Sequence, residues 1–431
     1  MRSVNFKKSN KKNSSWVLAT LLMKEYLDSQ KKPNDLLDTL PPSIDQLKLN
    51  HCRFLFYGAI RNLIRIENAL SGIIQKKPKN LLLAIFQISG YELLASSKRK
   101  KQKIIHNAVE QAKLIVSANE VKFINAVLRK LTAALDDQTP EKSFSVFYSH
   151  PQWLIEHWNK QFGKKNTEHL LSWNQKIPRL YLYSKSLPNE IKKQLNVVAP
   201  YLFELPEKGL QDTQIKEILD QGNGYIKDPA TLNAVNALDP KPNESILDLC
   251  ASPGGKTFDC IQRMENKGTI VAVDLPNKRM DRLKSNLRPL QKDNPNLIIL
   301  PQDIMKIDEK NFEDLSLPIK YDGILLDAPC SNTGVIQRKP DIRWRLNPEN
   351  IKECAELQLR LLNKASDWIK PEGRIVYSTC SIDNAENDAV IDEFLKTPKG
   401  RTFKLIQKKV YYPWESEHDG AGVFLLKKSN I

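Results

Sequence analysis

Cys330, in Leu326-Asp327-Ala328-Pro329-Cys330-Ser331, and Cys380, in Tyr377-Ser378-Thr379-Cys380-Ser381, each sit just behind a short apolar run. Two thiols brought to one place suit a reaction that begins with sulfur adding to a flat, electron-poor ring such as a pyrimidine. Carbon 5 of cytosine is a poor nucleophile; a thiolate adding to carbon 6 converts it into an enamine able to take an activated methyl group. A free thiol near pKa 8.5 is mostly protonated at neutral pH, so charge or hydrogen bonding must assist. Asp327, three residues before Cys330, could donate to the ring nitrogen when protonated or sharing a proton. Afterwards the carbon-5 proton must leave and the sulfur must be expelled, a task for the second cysteine. Spacing leaves open which thiol attacks. Cys52, Cys250, Cys260 and Cys354 fit apolar helix faces or strand ends and read as small core residues. Cys330 and Cys380 taken singly would read the same way; their doubled context with Asp327 favours catalysis.

A second constellation is a strand, a tight glycine turn and a helix start: Leu247-Asp248-Leu249, then Cys250-Ala251-Ser252-Pro253-Gly254-Gly255-Lys256, then Thr257. Glycines there let backbone approach a ligand, and a helix N-terminus favours a carboxylate or phosphate. A P-loop needs glycine five positions before Gly255, where Cys250 stands, and G-x-G-x-x-G is absent. What remains is a nucleoside-type cofactor with a small charged end, such as S-adenosylmethionine. Asp274, closing Val271-Ala272-Val273, can accept ribose hydroxyl protons. Asp303, after Leu297–Leu300, can accept from an exocyclic amine. Either aspartate alone could be a helix N-cap. Asp327 borders the same crevice and joins this cofactor set.

The elements that must position these residues are legible as alternation. Ser245–Leu249, Thr269–Val273, Leu297–Leu300, Gly323–Leu326 and Arg374–Tyr377 read as buried parallel strands, with helices at Thr257–Met264, Lys278–Leu290, Asn350–Trp368 and Glu386–Leu395. The expected fold is an α/β, doubly wound, Rossmann-like sheet, which holds ligands at the carboxyl ends of its strands. If the two cysteine-bearing strands are neighbours, about 4.8 Å apart, both sulfurs reach one substrate. Phe403–Ile406 and Gly422–Leu426 could add a terminal hairpin.

Upstream, Ser15 to Leu135 keeps three/four apolar spacing throughout, which predicts an all-helical module. Asp136–Pro140 reads as a linker, followed by a connecting α+β region with a helix at Ile155–Phe162 and strands around Leu180, Leu182 and Leu187. Of the formal +16 charge, residues 1–150 carry +13 (25 Lys/Arg against 12 Asp/Glu). Lys7, Lys8, Lys11 and Lys12 form one cluster and Lys98–Lys101 with Lys103 another, either phosphate-contacting or merely solvated. Arg338, Lys339, Arg343 and Arg345 around Trp344 are further candidates to hold phosphate and stack a base. Six cysteines without a C-x-x-C pair imply free thiols and no zinc clasp. The basic start followed by Trp16–Met23 has no small-x-small cleavage site and reads as a first amphipathic helix, and no apolar run is long enough to span a membrane.

Cys250–Lys256, Asp327–Gly334 (Asp-Ala-Pro-Cys-Ser-Asn-Thr-Gly) and Ser378–Ser381 (Ser-Thr-Cys-Ser) resemble the RNA cytosine-C5 methyltransferases of the NOL/NOP2/Sun family. The resemblance implies S-adenosylmethionine as cofactor, Cys380 as nucleophile and Cys330 as the thiol of product release. Gly224–Pro229 is similar to the family's opening motif, with Lys227 where glutamine is expected. Asn107–Lys113 and Phe123–Lys130 are similar to a NusB-type RNA-binding domain, and that domain joined to this core implies 16S ribosomal RNA as partner and substrate. Leu180–Tyr183 stands where Arg-Val-Asn is expected, and Asp419–Phe424 where Asp-Gly-Phe-Phe is usual. The expected layout is 1–137 helical NusB-like, 138–223 connecting and 224–431 catalytic, in a cytoplasmic, monomeric enzyme without metal or membrane attachment. A transfer-RNA cytosine methyltransferase and a non-catalytic RNA-binding assembly or antitermination factor are the rival expectations.

Overall fold

A computed structural model describes residues 14–206, 209–221, 223–291, 294 and 296–430. The lysine cluster at 7–12 lies outside them. The chain forms two compact units, Met1–Lys176 with Lys339–Arg345, and Ile177–Arg338 with Leu346–Ile431. The expected connecting region 138–223 is thus shared between them.

The first unit is helical, with its main helices at Ser15–Ser29, Gln46–Arg61, Leu63–Ser71, Asn80–Leu94, Lys101–Ala112, Ala118–Asp136 and Gln152–Gln175. In Ser15–Ser29 the first turns are buried all round, from Trp16 to Thr20, whereas Leu21, Lys24, Glu25 and Asp28 form a less buried face farther along, so the helix is amphipathic only in its second half. It packs with Gln46–Arg61 and with Asn80–Leu94, which is itself buried from Leu82 to Tyr91. A Cβ on Gly58 would fall 1.9 Å from the Tyr91 ring, so glycine sets how closely those helices approach. The last long helix breaks at Gly163, where φ is 77°. None of the helices among the described residues is long and apolar enough to cross a membrane.

The second unit contains two sheets. The smaller is antiparallel, with β1 (Leu180–Tyr183), β2 (Asn196–Ala199), β3 (Leu202–Leu205) and β4 (Tyr225–Ile226) in the order β2-β3-β1-β4. Leu182, Phe203 and Leu205 bury one face with Ile215 and Ile218 of helix Thr213–Asp220. The larger has β5 (Ser245–Leu249), β6 (Thr269–Asp274), β7 (Leu297–Pro301), β8 (Tyr321–Asp327), β9 (Ile369–Thr379), β10 (Phe403–Tyr411) and β11 (Ala421–Lys428). Its order is β10-β11-β9-β8-β5-β6-β7. The five strands from β9 to the edge strand β7 are parallel, as the doubly wound expectation requires, and the terminal hairpin adds two antiparallel strands at the other edge.

Alternation along the strands builds both layers. Leu247, Leu249, Val271, Val273, Ile324 and Leu326 point into a core with Phe312, Trp368 and Phe394. Their neighbours Ile246, Ile270, Ala272 and Leu325 point the other way, onto Leu238, Cys260 and Leu283. The chain leaves β5 toward β6 and β7, then returns to β8 on the opposite side. The sheet's switch point therefore lies between β5 and β8, where a crevice opens at the strand ends.

Candidate active site

The loop after β5 is the first wall of that crevice. Cys250 and Gly254 have φ of 61° and 101°, and the helix begins at Gly255. At Gly254 a Cβ would also sit 3.0 Å from Leu283, so packing and dihedral both demand glycine. At Gly255 a Cβ would meet nothing within 4 Å, so packing does not demand glycine there and the position is open to a ligand. The loop is fastened from outside. Asp274 accepts from Ser252 N (2.8 Å) and Leu275 N (2.7 Å), while Asn286 Nδ2 donates to the Pro253 carbonyl (2.8 Å). Asp274 is thus first a loop anchor. Asp303 caps a short turn by accepting from Met305 N (3.0 Å).

Behind the loop Asp248 is fully buried, takes a 2.5 Å hydrogen bond from Thr257 Oγ1, and is pushed up to about 7 by burial. Its Oδ1 and the buried Ser252 Oγ have no hydrogen-bond partner. Exposed Leu275 and Met305 follow directly on Asp274 and near Asp303. An open glycine, unpartnered polar atoms, carboxylates at successive strand ends and adjoining apolar side chains fit a nucleoside bearing a charged end. Leu275 and Met305 went unread in the sequence, where the only signal is an apolar residue beside each aspartate.

The two cysteine loops form the second wall. β8 and β9 are parallel neighbours with Asp327 opposite Ser378, so Cys330 and Cys380 leave the sheet side by side. Their sulfurs are 3.1 Å apart. The Cys380 thiol also donates to Asn332 Oδ1 (3.2 Å), and Asn332 Nδ2 holds the Cys330 carbonyl (2.6 Å). Cys330 is pushed well above the usual thiol range, first by its hydrogen bond with Cys380, then by burial and by charge on Cys380 and Glu386. Cys330 therefore keeps its proton.

Lys256 lies beside these groups. Its Nζ donates to Asp327 Oδ2 (2.5 Å), and Ser378 Oγ donates to Asp327 Oδ1 (2.9 Å). Burial opposes the ammonium, but Asp327, Asp248 and a charged Cys380 together hold it above its ordinary value. Lys256, Asp327, Ser378 and Cys380 line one cavity of about 80 Å³ with Thr231, Val335 and Asp419. A fixed cation next to one thiol and a raised pKa on the other make the two sulfurs unequal.

Glu386, read from sequence only as a helix start, is the buried post to which both loops are tied. It is 0% exposed and precedes the helix, which runs Asp388–Lys396. Its carboxylate accepts from Ser331 N (2.8 Å), Ser331 Oγ, Ser381 Oγ (2.6 Å) and Gln358 Nε2 (3.0 Å). Ser331 and Ser381 are the residues directly after the two cysteines. Burial raises the Glu386 pKa, and the four donors oppose that.

The basic cluster after Cys330 does something other than expected. Arg338 is bound by Asp228 and Asp419. Arg343 is 0% exposed within the helical unit, donating to the carbonyls of Ser149 (3.1 Å) and Asn174 (3.2 Å). Trp344 packs on the helical core and donates to the Ile60 carbonyl (2.9 Å), and Arg345 pairs with Asp341. Arg338, Arg343 and Trp344 are thus taken up by structure, whereas Lys339 and Arg345 stay exposed. In the Lys98–Lys101 run, Lys101 turns inward to Asp136 (2.5 Å), whereas Lys98, Arg99, Lys100 and Lys103 are exposed. Lys227, where glutamine was expected, makes a buried ion pair with Asp259, which also accepts from Tyr225 (3.1 Å).

A family model described as 16S rRNA methyltransferase RsmB/F matches residues 235–419, and the NusB family model matches residues 8–133. The probable ribosomal RNA small subunit methyltransferase B of Bacillus subtilis is 30% identical over 360 residues, covering 79% of this chain and 78% of that protein. Ribosomal RNA small subunit methyltransferase B of Shewanella oneidensis is 30% identical, covering 82% of this chain and 83% of its own length. Among solved structures, PH0851 superposes with a TM-score of 0.72 at 23% identity, over 98% of this chain and 99% of that one. NSun6 from Pyrococcus horikoshii gives 0.53 at 19% identity over 64% and 98%.

Proposed function

Because this chain belongs to the 16S rRNA methyltransferase RsmB/F family, we propose that it methylates carbon 5 of one cytidine in 16S ribosomal RNA through a covalent cysteine adduct. It does so as a cytoplasmic monomer, without metal. S-Adenosylmethionine, the family's cofactor, supplies an electrophilic methyl group on a sulfonium. Cys250–Lys256, Asp274 and Asp303 would hold it, with the glycine loop toward its charged end.

Cys380 is the attacking sulfur, because Lys256 favours its thiolate and Cys330 donates a hydrogen bond to it. Its electron pair bonds carbon 6, and negative charge develops on the ring. The Lys256 ammonium, hydrogen-bonded to Asp327 at 2.5 Å, offsets that charge while Asp327 faces the ring nitrogen. Once carbon 5 carries the methyl group, Cys330 passes its thiol proton to the departing Cys380 sulfur and takes up the carbon-5 proton, so that the carbon–hydrogen pair forms the carbon 5–carbon 6 double bond and the carbon–sulfur pair returns to Cys380. Cys330, one sulfur contact away, serves that release. The basic helical unit would grip structured RNA while the target base is swung out of its stack.

The observation that carries this proposal is the meeting of both sulfurs at the ends of adjacent strands. Incubation with methyl-labelled cofactor and naked 16S RNA, followed by bisulfite mapping, tests it. One labelled cytidine in 16S RNA is expected, absent from cells lacking the gene. Label in transfer RNA alone, or none in RNA, would overturn it.

A further inference from the structure

Beyond the reacting base, we propose that Tyr225, Tyr183 and Tyr201 form a stacking ladder for the single-stranded ribonucleotides next to the target cytidine. The proposal rests on RNA being the substrate. The ladder starts at Phe258, two residues after Lys256 on the same helix. Phe258 meets Tyr225 edge-on with ring centroids 5.0 Å apart and planes at 80°, Tyr225 meets Tyr183 at 5.0 Å with planes 34° apart, and Tyr183 meets Tyr201 edge-on at 6.3 Å with planes at 64°. The series therefore runs outward from the catalytic helix across the small sheet, from partly buried rings to Tyr201, which is 49% exposed. The sheet pairing produces it, since Tyr183 of β1 lies directly opposite Tyr225 of β4.

Two details separate this series from ordinary core packing. Tyr201 occupies the left-handed region, with φ of 63°, in the turn between β2 and β3, a conformation that is costly for a large side chain, and its ring stands exposed there. Lys227 Nζ lies 5.5 Å from the Tyr183 ring centroid and 5.6 Å from that of Tyr225. Its own charge is matched by Asp259, so it supports the rings from within. At the border, exposed Lys185 reaches Gln262 (2.7 Å), a cation placed for a phosphate chain, while the neighbouring Arg263 is held by Asn236 and Asp239. Aromatic faces edged by a cation fit unpaired RNA, because every base offers a π-face.

Steady-state methylation of an RNA fragment containing the mapped cytidine tests the ladder in the full chain. Tyr201→Ala should raise KM for RNA about tenfold, the scale of one lost base–aromatic stack, with kcat and KM for S-adenosylmethionine little moved. Tyr201→Phe should recover most of the loss, and 5-iodouridine beside the target should photocrosslink to Tyr201. An unchanged KM for RNA in Tyr201→Ala, with wild-type chain methylating the fragment, would overturn the ladder and leave the proposed reaction standing. Wild-type chain that methylates no RNA would overturn both.

Discussion

The Cys330 sulfur lies 3.1 Å from the Cys380 sulfur, where Cys330 holds its proton and charge on Cys380 acts on the Lys256 ammonium. That asymmetry separates their roles. Cys380→Ser should abolish transfer of label from the cofactor. Cys330→Ser should still attack but release slowly, leaving a protein–RNA band that survives a denaturing gel. A band from Cys380→Ser in place of Cys330→Ser would reverse the two assignments.

The same contact makes the pair oxidisable. Hydrogen peroxide can take two electrons and two protons from the thiols, giving one disulfide and two waters. Activity should fall on mild peroxide treatment and return with dithiothreitol, and the treated protein should yield a Cys330–Cys380 linked peptide lighter by two hydrogens. Inactivation with both thiols still alkylatable would rule this out.

Glu386 places the sulfurs without touching the reacting atoms. Glu386→Ala strands the Ser331 and Ser381 donors in a dry site, each unsatisfied group costing about 1–3 kcal/mol. It should lower kcat and slow the peroxide-driven linkage of the cysteines, because the loops lose their common post. Glu386→Gln, which keeps volume and one acceptor oxygen, should recover part of both. An unaltered linkage rate in Glu386→Ala would show that the loops are registered by the strands alone.

How far the sequence foretold the site follows from which interactions are local. The strand runs, the glycine turn and the two Cys contexts are short and self-contained, so β5 to β9 and the paired thiols could be read directly. The Glu386 hydrogen bonds join residues 28 and 55 positions away, and no spacing rule reports them. Arg343 and Trp344 misled for the same reason. A basic-aromatic run looks solvent-facing until the backbone carbonyls that take up its donors are known, and those come from residues some 170 to 280 positions earlier. In Ser15–Ser29 the full burial of Trp16 to Thr20 depends on the neighbouring helices and is not written in the spacing.

Lys227 and Asp259 make a buried pair whose members should not be exchangeable singly. Burial pushes Lys227 down and Asp259 up, and each is the other's main compensation. Lys227→Gln, which restores the residue common to the opening motif, leaves an unpaired buried carboxylate and should cost about 3–5 kcal/mol in urea unfolding. Lys227→Gln with Asp259→Asn should regain most of that. Additive losses in the double variant would mean that the two side chains do not interact.

In the helical unit Glu92 offers a test by pH. It is largely buried, accepts from Trp16 Nε1 (2.9 Å), and is pushed up to about 7, first by burial and against the Trp16 hydrogen bond. The folded chain therefore keeps this proton up to about neutrality, whereas the unfolded chain sheds it near pH 4.3. Between those values the folded state binds more protons, so stability falls as pH rises and levels off above about 7. Glu92→Gln keeps an acceptor for Trp16 and removes the titration. Its advantage over wild type should be near zero at pH 4.5 and grow to roughly 2 kcal/mol by pH 8, after allowing for partial exposure. A difference that stays constant from pH 4.5 to 8 would show that folding does not raise the Glu92 pKa.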